Sequence, residues 1–78
     1  MKILTLDKLP LNITAKIYSL NCDDILRRRL LDLGLIDGTK ITPIFNSPFG
    51  DPIAYKIRSS TIALRKDDVK NITCIITL

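Results

Sequence analysis

The chain has 78 residues, 46% of them hydrophobic and 26% charged, with a net charge of +4. A composition this apolar is that of a folded protein and argues against disorder, and the length predicts one domain, 1–78, near the size below which a core usually needs staples. No His is present, which excludes Ser-His-Asp, Cys-His and His-metal arrangements, so an enzyme is not expected.

The apolar start "MKILTLDKLP" is interrupted by Asp7 and Lys8 before it can form a signal-peptide core. No apolar run reaches the roughly 20 residues that span a bilayer, and the chain reads as cytoplasmic. From 13 to 20, "ITAKIYSL" sets Ile13, Ala15 and Ile17 against Thr14, Lys16 and Tyr18. Period two of this kind predicts a strand. "NCDD" then offers Asn21, Asp23 or Asp24 as helix caps, whose carboxylates also complement the helix dipole. A helix from about Asp23 to Leu33 follows, and Gly34 stops it in the position after the C-cap.

"KITPIF" (40–45) reads as a strand in which Pro43 marks an edge or a bulge. "NSPFGDP" (46–52) is a loop by composition. "IAYKIR" (53–58) alternates Ile53, Tyr55 and Ile57 against Ala54, Lys56 and Arg58. "TIALR" (61–65) repeats the pattern with Ile62 and Leu64 inward, and Ser59-Ser60 make the hairpin turn between the two. "KDDVKNI" (66–72) reads as one helical turn capped by Asp67 or Asp68. In "ITCIITL" (72–78), a last strand, Ile72, Cys74, Ile76 and Leu78 share the apolar face. Five strands, a helix inserted after the first long one and a turn before the last predict a small barrel, mainly β, whose closure would remove its sheet edges.

At about 100° per residue, Leu26, Leu30 and Leu33 form the buried stripe of the helix. Arg27 and Arg29 flank that stripe on opposite sides, Arg28 points away from it, and Leu31 falls between Arg27 and Arg28. Consecutive arginines on a helix do not share a face. Their ordinary role is a solvated boundary, with stems along the core and ion pairs from Arg28 to Asp24 and Asp32. Arg27, Arg28 and an exposed Leu31 would instead make a mixed apolar and basic spot of the kind found at protein interfaces.

Elsewhere the chemistry is sparse. The twelve cations are interleaved with eight Asp from one end of the chain to the other, so nucleic acid is not an expected partner. Three dispersed glycines do not make a phosphate-binding loop, and no cofactor is expected. Cys22 and Cys74 belong to no CxxC pair and read as reduced thiols. Cys22-Asp23-Asp24 is the one mixed soft and hard cluster, better explained as a cap region than as a metal site, while Cys74 belongs to the core. In "GDP" (50–52), Gly50 permits a positive φ, Asp51 can accept from nearby N–H groups and Pro52 fixes the entry to the next strand. Of the aromatics, Tyr18, Phe45, Phe49 and Tyr55, the last is expected inside, too few remaining for a proline-rich ligand groove.

Read together, "RRRLLDLGLIDGT" (27–39), "SPFGDPIAYKIR" (47–58) and "IALRKDD" (62–68) resemble the FeoA family of bacterial ferrous-iron uptake. The resemblance covers nearly the whole chain and rests on three motifs in order. It departs from the family pattern at "LPLNIT", at Ser59-Ser60 and at Val69. It implies an SH3-like barrel and an accessory protein that contacts FeoB, the membrane GTP-dependent ferrous-iron transporter. Partner contacts are expected on the helix around Arg27, Arg28 and Leu31 with the nearby turn, and at Asp51 and Pro52. Two other readings are a free-standing regulatory module related to the C-terminal domain of metal-dependent repressors, and a small nucleic-acid-binding barrel.

Overall fold

Residues 2–58 and 60–76 are described by the computed structural model. The elements are β1 (Lys2–Thr5), a 3₁₀ turn (Leu6–Lys8), β2 (Ala15–Leu20), α1 (Asp24–Asp32), β3 (Lys40–Asn46), β4 (Ile53–Ile57), β5 (Ser60–Leu64), α2 (Lys66–Val69) and β6 (Ile72–Ile76). All six strands join one antiparallel sheet in the order β1-β6-β2-β3-β4-β5. The SH3-like, mainly β reading holds, with the helix inserted where expected, but the strand count and the closure need correcting. β1 is a sixth strand, laid along β6 from Lys2 opposite Ile76 to Thr5 opposite Thr73. β1 and β5 do not pair, so the sheet stays open. The 3₁₀ turn packs on α2 and β6, and Leu6 and Val69 within these short elements are fully buried. Hydrophobic cover seals this part of the core in place of strand pairing.

Alternation works best where both strand neighbours are present. Ile53, Tyr55 and Ile57 point into the core from β4, and Ala54, whose short side chain lies between Phe45 of β3 and Ala63 of β5, is buried as well. Ile13, expected on the inner face of the second strand, is 41% exposed and precedes it. The cause is local. Ile13 N–H closes a turn onto the Pro10 carbonyl, Asn12 takes a positive φ of 67°, and its N–H reaches the Pro43 carbonyl. Pro43 lies on an interior strand and marks a bulge, not an edge: the register shifts between Pro43 and Phe45. Ser59 of the expected hairpin turn and Leu78 of the last strand's apolar face lie outside the described residues.

The helix ends tell sequence and structure apart. Asp23 caps α1, its side chain accepting from Leu26 N–H at 2.8 Å. At the other end Gly34 sits at φ +94°, Gly34 N–H donates to the Leu31 carbonyl and Leu35 N–H to the Leu30 carbonyl. This paired bonding is the Schellman motif, which brings the residue after the glycine back against the last turn. Leu35 is therefore fully buried beside Leu30, while Leu33, expected in the buried stripe, is 40% exposed.

At α2 the cap comes from elsewhere. Neither Asp67 nor Asp68 caps the helix; both lie inside it, and Arg65 at the N-cap makes no side-chain cap bond. Lys66 N–H instead donates to Asp51 Oδ1 at 2.9 Å, across fifteen residues of sequence. Asp51→Ala should lower the unfolding free energy by about 1 kcal/mol in a urea titration, with Asp51→Asn recovering most of it. Asp67 pairs with Lys70 at 3.6 Å on the open surface, where such pairs contribute little. Among the described residues no helix is long and apolar enough to cross a membrane.

Candidate partner-binding cleft

The end of β2 sets the floor of the main cleft. Ile17 and Leu20 turn inward, which leaves Tyr18 pointing out and 54% exposed. A bulge between Ile17 and Ser19 then lets the turn before β3 draw close: Gly38 N–H donates to the Ile17 carbonyl and Ile17 N–H to the Thr39 carbonyl. Thr39 is buried and its hydroxyl donates to the Gly34 carbonyl at 3.1 Å, fixing the turn that carries Ile36 and Asp37. α1 supplies the opposite wall with Arg27 and Leu31. The result is an open cleft of about 550 Å³ lined by Tyr18, Ser19, Leu20, Asn21, Arg27, Leu31, Ile36 and Asp37.

Its chemistry is mixed. Tyr18, Leu31 at 44% and Ile36 at 45% exposure offer apolar surface, with Arg27 and Asp37 as charged neighbours. Arg27 also has a structural duty, because its Nη2 donates to the Leu20 carbonyl at 2.7 Å and ties α1 to the end of β2. Leu31 forms a ridge between this cleft and a smaller one of about 310 Å³, which it lines with Asp24, Arg27, Arg28 and Asp32. The ion pairs expected from Arg28 to Asp24 and Asp32 do not form; the one salt bridge among the described residues is Lys70–Asp67. Arg28 thus keeps its donors for solvent or a partner.

Three of the five residues expected at the partner surface, Arg27, Arg28 and Leu31, come together here. Asp51 and Pro52 do not line either cleft. Tyr18, Ile36 and Asp37 were not singled out by sequence reasoning. The available signal was a tyrosine on the outward face of a strand and an isoleucine set between two glycines, in "GLIDG".

The remaining candidates are mostly accounted for. Asp23 of the Cys22-Asp23-Asp24 cluster is engaged as a cap, Cys22 packs against the core, and no group of three or more Cys or Asp gathers among the described residues. Cys74 is fully buried, and burial, with Asp7 adding to it, pushes its thiol up to about 11. Tyr55 is fully buried too, and burial, followed by the charge of Asp7, pushes its hydroxyl up to about 12. Among the described residues neither the Tyr55 hydroxyl nor Asp7 Oδ1 has a hydrogen-bond partner.

This fold defines a class, the small SH3-like domains: the structure of Stenotrophomonas maltophilia FeoA complexed with zinc, described as a prokaryotic SH3 domain protein, matches with a TM-score of 0.76 at 28% identity, over 92% of this chain and 89% of that one. Within that class the assignment is direct. The FeoA domain model matches residues 4–75, and the chain belongs to the FeoA domain family. The FeoA protein of Chlorobium tepidum superposes with a TM-score of 0.90 at 31% identity, covering 96% of this chain and 71% of that one. In sequence, 48 residues are 33% identical to a Fe(2+) transport protein A/Fe(2+) transporter FeoB fusion protein of Porphyromonas gingivalis. They make up 62% of this chain but only 6% of that relative.

Proposed function

We propose that this FeoA domain is a non-enzymatic accessory protein of ferrous-iron uptake that acts on the cytoplasmic side by docking to a FeoB-type transporter. The observation that carries this reading is the Porphyromonas gingivalis fusion, in which the two components share one chain. Fusion holds partners at a high local concentration, whereas separate chains depend on an interface of their own. The Stenotrophomonas maltophilia relative is described in connection with activation of ferrous-iron transport, which supports the same reading. The cleft beside α1 is the proposed interface. Leu31 and Tyr18 supply apolar anchors, and Arg28, free of internal ion pairs, supplies a charge for a partner carboxylate.

The test is a calorimetric titration against the transporter's soluble cytoplasmic domain at two salt concentrations. Wild type should bind, and Arg28→Glu and Leu31→Asp should each weaken binding by about tenfold or more. Arg27 is the wrong residue to mutate, since its loss also unties α1 from β2. No wild-type binding rejects contact with that domain. Intact binding in both variants moves the interface away from α1, to a surface that includes Asp51 and Pro52.

A further inference from the structure

Neither phenylalanine of this chain is used in the core. Phe45 is 57% exposed and Phe49 95% exposed, both at the tip of the β3–β4 hairpin, while Ile, Leu and Tyr55 fill the interior. A small domain short of aromatics has placed both of them outside, four residues apart in the chain.

The tip has a second property. Residues 46–50, Asn-Ser-Pro-Phe-Gly, carry no charge. Their backbone is folded onto itself: Gly50 N–H donates to the Ser47 carbonyl at 2.8 Å and Ser47 N–H to the Pro52 carbonyl at 3.2 Å. Gly50, at φ +80°, turns the chain immediately after Phe49. Behind the turn stands Lys66, whose Nζ lies 3.6 Å from where a side chain on Gly50 would begin. The charged groups on the α2 segment behind it, Arg65, Lys66 and Lys70, are matched by Asp51, Asp67 and Asp68, so the tip has little local charge. The chain as a whole carries +4.

We propose that the Phe45–Phe49 tip inserts into the interfacial zone of an anionic phospholipid membrane. An uncharged turn in which the Ser47 and Gly50 N–H groups are already internally bonded loses less when it leaves water for an apolar phase than an open loop does. Lipid requires no complementary pocket, which suits exposed rings on a turn, and the net positive charge draws the chain toward an anionic leaflet. Insertion of two rings gives a weak, reversible attachment of the kind that orients a protein already held nearby. The tip is a different surface from the α1 cleft, so membrane contact and transporter contact fail independently of each other.

The chain contains no Trp, so Phe49→Trp places its sole indole at the tip. Vesicles of phosphatidylcholine with phosphatidylglycerol should shift its emission to the blue, and brominated lipid should quench it. Wild type should co-sediment with these vesicles, and Phe45→Ser/Phe49→Ser should bind about tenfold more weakly. Leu31→Ala, which leaves the net charge at +4, should bind vesicles almost as wild type does. An unshifted, unquenched emission overturns the proposal. So does equal co-sedimentation of the double serine variant. A blue shift produced by the transporter's soluble domain, with vesicles causing none, would assign the tip to a protein pocket instead.

Discussion

Leu30→Ala is expected to lower the unfolding free energy by about 3 kcal/mol, and Leu31→Ala, one residue further on, by less than about 0.5 kcal/mol. Leu30 is fully buried, and its carbonyl receives the Leu35 N–H that closes the helix end. Removing its side chain leaves a void among residues held by several elements at once, and such sites relax poorly. Domains of this size have total stabilities on the order of 5 kcal/mol, so the variant should be partly unfolded near physiological temperature. Leu31 is 44% exposed on the ridge between two clefts and loses little when shortened. Urea titrations of both variants, set beside their binding to the transporter domain, separate the two roles. Leu30→Ala should lose stability, and Leu31→Ala should lose the partner. If Leu31→Ala unfolds as readily as Leu30→Ala, Leu31 belongs to the core and leaves the proposed interface.

The second large effect is alkaline. Cys74 and Tyr55 are neutral while protonated, and burial holds them so: the thiol is raised from 9.0 to about 11, the phenol from 10.0 to about 12. The unfolded chain releases these protons first. Stability from both groups is therefore complete below about pH 9 and falls as pH rises, until it is lost by about pH 12. Chemical denaturation at a series of pH values should show the loss, and Tyr55→Phe should flatten the profile above about pH 10. At neutral pH the same substitution should cost little, because the Tyr55 hydroxyl has no partner to abandon. An unchanged slope in Tyr55→Phe would mean that Tyr55 takes no part in the alkaline loss and would leave it to Cys74.

Much of this fold was legible because its determinants are local. Asp23 and Gly34 bound α1 through bonds to residues within one turn, and the inward positions of β4, Ile53, Tyr55 and Ile57, follow the period of two. The misses share a cause, dependence on distant chain. β1 is four residues with no alternation of its own and exists as a partner of β6. The α2 cap comes from Asp51, which no local pattern around Lys66 could supply. Leu33 and Leu35 exchanged places because a helical wheel ends where the Schellman turn begins. The candidate site divided in the same way. Arg27, Arg28 and Leu31 share one helix and were found by spacing, whereas Tyr18, Ile36 and Asp37 reach the cleft through a bulge and a turn.

The hydrogen bond from Arg27 to the Leu20 carbonyl also bears on how anything fills the cleft. It bolts one wall to the other at the rim, and the Thr39 hydroxyl fastens the turn below. A slot braced in this way is a mould and not a jaw: it cannot close around a visitor. An occupant must arrive already in the right shape, or bear the ordering cost itself. Differences in affinity among such occupants should then show in how slowly they leave more than in how quickly they arrive.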